Sequence, residues 1–472
     1  MKKRILARRK RRKGDRTSLE AIRPMVAGVD IGSEEHWVCG PERDDGERLV
    51  RVFRATTAQL RDMAAWLLEQ GVESVAMEST YLYWIPVYEV LEAAGLDVVL
   101  VNARMLHHVP GRKTDLQDCQ WLQRLHSCGL LRGSFRPRDA ICRLRALQRQ
   151  RANLVETRSR FVQWMQKALD QMNVRVHRAV SDLTGHTGMA IVRAIVAGER
   201  DPLRLAALRD KACRKSVETI AEHLAGNWRE EHVYNLSMSL RLFDETERAI
   251  SEYDQRLLGE IEGLQPDDRR NEAVPAHPNA GKERVIRKRG HQELRQALWR
   301  FANVDLTTID GISAHSAQVI LTEVGADLTA FPSENHFASW LRLCPRKAIS
   351  GGKPLKKRPN GTGASRIAGA LRTAAVSIQR SKTALGAAYR RTARYKGAAV
   401  AVFSIARKLA LYVYRLLRHG SAYIDIGEAQ YEARFRQRQL HALTETAKNL
   451  GFTLVAAAES PPNTAPVTLV AG

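Results

Sequence analysis

The chain has 472 residues, a formal net charge of +24 at pH 7, and 44% hydrophobic and 27% charged residues. At roughly 150 residues per domain, this length predicts about three globular domains. No apolar run is long enough to cross a bilayer, and the six scattered cysteines form no CxxC pair. The sequence therefore argues against a membrane protein, a disulfide framework and a zinc ribbon. The excess of positive charge favours a polyanion partner, with nucleic acid ahead of an anionic membrane.

The N-terminal part of the chain alternates between strand and helix patterns. A basic arm, residues 1–24, is expected to be disordered, and it precedes three apolar runs separated by turn residues: MVAGVDIG, EHWVCG and RLVRVFRA. A helix, a strand, a second helix and a fifth strand follow, in TAQLRDMAAWLLEQG, VESVAMEST, IPVYEVLEAAG and LDVVLV. This order predicts an α/β domain, residues 25–143, in which helices cover a mixed sheet.

Residues 144–295 are predicted to be helical and heavily charged. Apolar residues at three- and four-residue spacing indicate one long helix from Leu144 and a second around Leu236 to Glu262. Long helices of this kind form either a coiled-coil arm or a local bundle, and the sequence leaves both open. Residues 266–290 are rich in Pro, Asn and charge, which predicts a flexible loop.

The third predicted domain, residues 296–426, has an unusual distribution of charge. From Asn335 to Ile424 there is no Asp or Glu, whereas nineteen Lys and Arg occur. A solvated helix face normally mixes signs, so this stretch indicates a surface that faces phosphate. The segment TTIDGISAHSAQVILTEVGADLTAF predicts a helix-hairpin-helix-like unit, whose turn amides are suited to a phosphate contact. A C-terminal helix and a disordered tail are expected over residues 427–472.

Four carboxylates in the first domain form the first candidate site. Asp30 and Glu78 end two predicted strands, and Asp115 and Asp118 are spaced i and i+3 on one face of a helix that begins near Thr114. Each acid alone has an ordinary role, as a turn residue, a cap or a partner of the helix dipole. Together, in so basic a protein, they favour a site for a pair of Mg²⁺ ions, because hard cations prefer oxygen ligands.

The basic segment KAISGGKPLKKRPNGTG forms the second candidate site. Ser350 is either a nucleophile or a residue that only holds a phosphate, and the two glycines that follow let the backbone approach a ligand closely. The predicted nucleic-acid-binding residues are Lys113, Arg346, Lys347, Gly351, Lys353, Lys356, Lys357, Arg358, Arg366 and Arg372.

These motifs follow one another in a specific order: GVDIG, MEST, GRKTDLQDCQWL, the charged helical middle, and then IDGIS, LTEVGADLTAF and FASWLRLCPRKAISGGK. In this order, from about Ala27 to Asp425, the chain resembles the DEDD insertion-sequence transposases. This is insertion-sequence family one hundred and ten, whose members include the bridge-RNA-guided recombinases. Each motif is short, but their order and spacing together are specific. The segment PLKKRPNGTGASR after the serine departs from the pattern common in the family.

The resemblance implies a RuvC-like, RNase H-type domain, a coiled-coil middle and a mostly helical C-terminal transposase domain. The family's four acidic residues match Asp30, Glu78, Asp115 and Asp118 and are tied to Mg²⁺, with Mn²⁺ as the alternative, and its nucleophilic serine matches Ser350. Acids and serine come from different subunits in the family, which implies a homo-oligomer between dimer and tetramer. The implied partners are donor and target double-stranded DNA and a structured guide RNA. The implied location is the bacterial cytoplasm, in association with the nucleoid.

Three functions are compatible with these residues. The first is a recombinase that cleaves and exchanges DNA strands through Ser350, directed by RNA or acting without it. The second is a RuvC-like nuclease of the junction-resolving type, in which the acids activate water and the serine only binds. The third, a nucleic-acid-binding protein without catalysis, does not explain why four acids and a serine are all present. The sequence favours the first.

Overall fold

The computed structural model describes residues 21–43, 46–79, 81–102, 114–211, 213, 215–269, 271–344, 349–350, 353–354 and 365–455. The chain forms two compact units, Met1–Arg136 and Pro137–Gly472. The tail after residue 455 and most of the predicted N-terminal arm lie outside the described residues. Within the described part of the chain, no helix has the length and apolar character needed to cross a membrane.

The first unit is built on a five-stranded mixed sheet. Its strands are Val26–Ile31 (β1), Glu35–Glu42 (β2), Arg48–Arg54 (β3), Ser74–Glu78 (β4) and Asp97–Val101 (β5), and its helices are Thr57–Glu69 (α1), Trp84–Ala93 (α2) and Asp115–Ser127 (α3). The strand order is β3-β2-β1-β4-β5. The first three strands pair antiparallel, whereas β1, β4 and β5 run parallel. This arrangement confirms the predicted mixed sheet covered by helices.

Helices cover both faces of the sheet. Alternate residues of a strand project to opposite faces, so Ala27, Val29 and Met77 share one face and pack in an apolar cluster with α1 and α2. Helix α3 lies on the other face, where it packs against β1, β2 and β4. The central strand β1 is therefore buried on both sides, which explains why its sequence, VAGVDI, is almost continuously apolar.

The second unit begins with a long helix, Asp139–Gln171 (α4), which packs lengthwise against a second, Glu230–Gly263 (α9). Arg151 donates to Asp254 at 2.9 Å, and an ion pair joins Arg158 to Glu247. Four short helices pack around one end of the pair in an apolar cluster: Val176–Ala179 (α5), His186–Val196 (α6), Pro202–Ala207 (α7) and Val217–Leu224 (α8). A long helix pair and a local bundle are thus both present.

The prediction of a flexible loop over residues 266–290 is wrong in its second half. Residues Ala280–Lys288 form a helix (α10), preceded by a 3₁₀ turn at Asp267–Arg269. The side chain of Asn279 caps this helix by accepting from the backbone N–H of Lys282 at 3.1 Å, and Ile286 is buried beneath it. The Pro and Asn residues that indicated a loop therefore lead into a capped helix.

The remainder of the second unit is helical except for one short hairpin. Its elements are Gln292–Ala302 (α11), a 3₁₀ turn at Leu306–Thr308, Ala314–Val324 (α12), Glu334–Trp340 (α13), Ile349–Ser350 (β6), Lys353–Pro354 (β7), Arg366–Ser377 (α14), Ala384–Lys396 (α15), Ala398–His419 (α16) and Gly427–Asn449 (α17). Helix α16 packs against α13, α14 and α15, and its buried residues Ile405, Leu409 and Val413 form a large part of this core.

Candidate active site

Two of the predicted acids lie side by side at the carboxyl ends of neighbouring parallel strands. Val29 of β1 is in register with Met77 of β4, so Asp30 and Glu78 are the next residues along the two strands. Neighbouring strands are about 4.8 Å apart, and residues in register project to the same face of the sheet. Both side chains are partly exposed. The topology therefore places two carboxylates on one edge of the sheet, on the face that α3 covers.

Helix α3 crosses β1 at Gly28, where the helix and strand backbones come unusually close. A Cβ atom at Gly28 would lie 2.3 Å from the backbone nitrogen of Gln123 and 2.4 Å from the carbonyl oxygen of Cys119. Only glycine permits this approach, because any side chain would overlap the helix backbone. Gly28 thus fixes the height of α3 above the strand that carries Asp30.

The direction of α3 brings its two acids to the same edge. Near its C-terminal end, Gln123 donates to the carbonyl of Val26 at 3.4 Å, and Nε2 of His126 lies 2.9 Å from Oγ of Ser74. Val26 and Ser74 are the first residues of β1 and β4. The start of the helix, with both aspartates in its first turn, therefore points toward the carboxyl ends of these strands.

The start of α3 matches the sequence prediction. Thr114 is the N-cap, and its hydroxyl accepts from the backbone N–H of Gln117 at 3.3 Å. Asp115 is exposed and Asp118 is partly exposed. Carboxylates in the first turn of a helix interact favourably with the helix dipole.

The four carboxylates fit a hard divalent cation by their chemistry, since all their donor atoms are oxygens. They do not form a closed ligand set: nowhere in the described part of the chain do three or more His, Cys, Asp or Glu side chains stand close enough to hold a metal ion together. Asp30, Glu78 and the first turn of α3 thus share one edge of the sheet without converging on a point.

The buried thiol of Cys119, a residue of α3, lies near Asp30. The pKa of Cys119 is raised, first by the hydrogen bond between its thiol and that of Cys39, then by burial and further by the negative charge of Asp30. Both cysteines are fully buried and unoxidised. These interactions favour the protonated form of the Cys119 thiol.

Ser350 lies at the end of a two-stranded antiparallel hairpin. Ile349 is in register with Pro354, and Ser350 with Lys353. The two residues between the strands in the sequence are Gly351 and Gly352. Glycine pairs are typical of two-residue hairpin connections, but both glycines lie outside the described residues.

The predicted nucleic-acid-binding residues are only partly within the described structure. Lys113, Arg346, Lys347, Gly351, Lys356, Lys357 and Arg358 lie outside the described residues. Of Lys353, only the backbone is described, in β7. Arg366 begins α14 and lies 3.8 Å from the carboxylate of Glu323. Arg372, one and a half turns later, has its guanidinium 5.5 Å from the centre of the Phe403 ring.

Sequence reasoning missed an arginine cluster around Glu323. This buried carboxylate accepts two hydrogen bonds from Arg149, at 2.9 and 2.8 Å, and forms ion pairs with Arg145 at 3.2 Å and with Arg366. The hydrogen bond to Glu323 raises the pKa of Arg149. Three guanidinium groups around one carboxylate leave a local charge of +2 at the start of α14. No sequence pattern predicts the cluster, because its residues come from helices α4 and α12, which are far apart in the chain.

The acid-free stretch is only in part a free cationic surface. Several of its arginines pair with acids just outside it: Arg390 with Glu428, Arg391 with Glu432 and Arg415 with Glu334. These ion pairs join α15 to α17 and α16 to α13. Counting charges along the sequence therefore overestimates how many arginines face a phosphate.

The helix-hairpin-helix-like turn is present, with a 3₁₀ turn before it. Gly311 has a φ of +83°, and a Cβ there would lie 2.7 Å from the carbonyl oxygen of Ala374 in α14. Lys282 donates to the carbonyls of Thr307 and, at 2.7 Å, of Ile309. Lys282 thus holds the residues before the turn, and Gly311 itself packs directly on α14.

Two family models match the chain over the segments that hold these sites. The model DEDD_Tnp_IS110, described as a transposase, matches residues 27–174, which contain all four carboxylates. A model described as the transposase IS116/IS110/IS902 family matches residues 304–391, from the Gly311 turn through the Ser350 hairpin to α15. A search of curated proteins found no match.

Together the two matches span half of the 472 residues. Transposases act on DNA, and transposases with DEDD domains typically use divalent metal ions, in agreement with the carboxylate edge formed by β1, β4 and α3. With the acids in the first match and the Ser350 hairpin in the second, this chain belongs to the IS110 family of DEDD transposases, enzymes that cleave and recombine DNA.

Proposed function

We propose that this transposase cleaves DNA with Ser350 as the nucleophile and rejoins it from a covalent phosphoserine intermediate. The observation that carries the proposal is the position of Ser350, at the end of a hairpin opposite Lys353 and within the segment matched by the IS110-family model. A cationic residue in register with the serine would be suited to the phosphate that the serine attacks.

The proposed reaction is a transesterification in two balanced steps. In the first, Oγ of Ser350 attacks the phosphorus, the bond from phosphorus to the 3′ oxygen breaks, and the 3′ oxygen leaves as a hydroxyl with the proton that the serine loses. In the second, the 3′ hydroxyl of another strand attacks the phosphoserine, and the serine recovers its proton. The covalent link stores the bond energy, so no external energy source is required.

The proposed role of Asp30, Glu78, Asp115 and Asp118 is to hold Mg²⁺, or Mn²⁺, at the sheet edge. A divalent ion bound there would stabilise the negative charge that develops on the phosphate oxygens. The support is the placement of the four acids on one edge and the all-oxygen character of the donors. Arg145, Arg149 and Arg366 add positive charge at the start of α14, close in sequence to the Ser350 hairpin.

We further infer that a structured guide RNA directs the reaction and that the active form is a homo-oligomer between dimer and tetramer. The support is the membership of the family together with the net charge of +24, which favours polyanion partners. Specificity delegated to base pairing leaves no trace in side chains. Treatment with ribonuclease should abolish strand exchange, and light scattering should give a mass of two to four chains.

The serine mechanism is tested with the protein expressed beside its native flanking DNA, so that any guide RNA is present. We expect an SDS-stable protein–DNA adduct that mass spectrometry locates on Ser350. Ser350→Ala should lose both the adduct and cleavage, and Asp30→Asn should lose cleavage. Ser421→Ala is the matched control, because Ser421 is an exposed serine of the same unit, and it should behave as wild type.

Cleavage that persists in Ser350→Ala without an adduct would overturn the serine mechanism. It would leave the RuvC-like nuclease, in which the four acids activate water. An adduct on a serine other than Ser350 would place the nucleophile elsewhere in the chain and would overturn the assignment.

A further inference from the structure

An exposed aromatic segment follows Glu78 directly. The side chains of Tyr81, Leu82 and Tyr83 are 75%, 58% and 41% exposed. The next residue, Trp84, turns inward, packs against the core of the sheet and makes an edge contact with Tyr88 at 6.0 Å. The segment is therefore anchored at Trp84, while the three large side chains before it contact little of the protein.

The backbone at Tyr81 adopts a strained conformation. Tyr81 has a φ of +48°, in the left-handed region that bulky residues rarely adopt. Such conformations persist where the surrounding structure imposes them, and they are concentrated at functional sites. The rings of Tyr81 and Tyr83 are 5.6 Å apart at an interplanar angle of 53°. Two rings thus stand together outside the core, on a segment whose course is fixed at both ends by β4 and α2.

The segment borders the carboxylate edge. Tyr81 is three positions after Glu78, so the Cα atoms of the two residues are at most about 11 Å apart. Successive nucleotides of one strand rise about 3.4 Å along a duplex. A strand whose phosphate lies against the carboxylates therefore has its neighbouring nucleotides, within about three positions, in reach of the two rings.

We propose that Tyr81 and Tyr83 stack on unpaired bases of the DNA strand beside the phosphate that is cleaved. The sequence STYLYW carries no charge, so this segment is not suited to phosphates, whereas flat rings are suited to the faces of bases. In a paired duplex those faces are covered by neighbouring bases, which restricts the ligand to an unpaired stretch. The proposal rests on the proposed function only in requiring that DNA reaches the carboxylate edge.

Stacking would also hold a DNA strand at this edge despite the repulsion between the carboxylates and the phosphates. Four carboxylates repel a phosphate backbone until their charge is neutralised, and a cationic side chain placed among them would pair with the carboxylates rather than with the phosphate. Contact between rings and bases does not depend on charge. The rings would therefore position the strand at the acidic edge independently of the basic surfaces of the second unit.

The test compares the affinity of the full-length protein for two probes: a mixed-sequence DNA duplex with a short unpaired bubble, and the same duplex fully paired. A 2-aminopurine base in the bubble reports stacking through loss of its fluorescence. We expect wild type to prefer the bubble about tenfold. Tyr81→Gly should lose most of this preference and of the quenching, with unchanged affinity for the paired duplex. Glycine adopts a φ of +48° without strain, so this variant preserves the fold.

The matched control is Tyr234→Ala, because Tyr234 is a 64% exposed tyrosine on α9, and it should keep the full preference. Retention of the preference in both Tyr81→Gly and Tyr83→Ala would overturn the proposal. A change of oligomeric mass in these variants would assign the rings to a protein interface and would overturn it as well. This test measures binding, whereas the test of the serine mechanism measures cleavage. Cleavage that persists in Ser350→Ala would therefore contradict the serine mechanism and leave the stacking proposal unaffected.

Discussion

At the scale of single residues, one glycine controls where the second pair of acids lies. Gly28 carries no catalytic group, yet α3 contacts β1 through the space that its missing side chain leaves open. The helix carries Asp115 and Asp118 in its first turn, so its height above the sheet sets their distance from Asp30 and Glu78. We infer that this close approach sets whether the four carboxylates lie near enough to one another for the proposed metal site.

Gly28→Ala is therefore expected to impair both stability and catalysis. The added Cβ would have to displace the backbone of α3, and overpacking of this kind costs about 1–3 kcal/mol of unfolding free energy. Gly40→Ala on β2 is the matched control, because its Cβ would meet its nearest atoms at 3.6 Å, an ordinary contact. Urea unfolding and DNA cleavage measure the two effects. Wild-type stability in Gly28→Ala would show that α3 does not need this close approach.

At the scale of elements, the Gly311 turn depends on a largely buried lysine. Lys282 of α10 reaches the carbonyls of Thr307 and Ile309, and burial lowers its pKa to about 8, against the opposing charges of Asp310 and Asp305. Tyr423 donates to Asp310 at 2.9 Å on the other side, and burial raises the pKa of Asp310. The turn, α10 and the segment before α17 thus form one polar network that orients α12 and α14.

This network predicts a pH dependence of stability. In the unfolded chain Lys282 keeps its proton up to the ordinary pKa of 10.5, whereas in the folded protein it loses the proton near pH 8. Between these values the unfolded state binds more protons, so the free energy of unfolding rises with pH. From pH 8 to about 9.5 we expect wild type to gain about 2 kcal/mol relative to Lys282→Met. Denaturant unfolding of both proteins across this range measures it.

The difference between the two proteins removes the contributions of other groups. Burial raises the pKa of Tyr423 above its ordinary value of 10.0, so this phenol keeps its proton in the folded protein within this range. A wild type and variant whose stabilities change in parallel from pH 8 upward would show that Lys282 is not buried as a proton-sensitive group.

Elements with a clear local pattern were predictable, and contacts between distant segments were not. The five strands follow from short apolar runs bounded by turn residues, and the start of α3 follows from Thr114 and the acids after it. Helix α10 was missed because one capping residue, Asn279, outweighs a loop-like composition. The Glu323 cluster joins α4, α12 and α14, and the exposure of Tyr81 depends on how Trp84 packs, so neither leaves a periodic signal.

At the scale of the whole molecule, the arginines behind the net charge of +24 are of two kinds. Some form ion pairs within the fold, and others can face DNA. Arg415 donates to Glu334 at 2.9 Å, and this hydrogen bond raises the pKa of its guanidinium. Arg372 instead lies over the half-exposed ring of Phe403, with no acidic partner among the residues that the structure describes. Both belong to the acid-free stretch, so they offer a direct test of this division.

Arg372→Ala and Arg415→Ala should differ in the salt dependence of DNA binding. Each phosphate that a protein neutralises contributes about −0.9 to the slope of log K against log salt concentration. Arg372→Ala should therefore reduce the magnitude of the slope by about 1, measured by fluorescence anisotropy on a duplex over a range of KCl concentrations. Arg415→Ala should leave the slope unchanged and instead lower the unfolding free energy, because its charge already serves Glu334. Equal reductions in slope would mean that the ion pairs of this stretch open when DNA binds, and that the whole acid-free surface, including its paired arginines, acts as the phosphate-binding face.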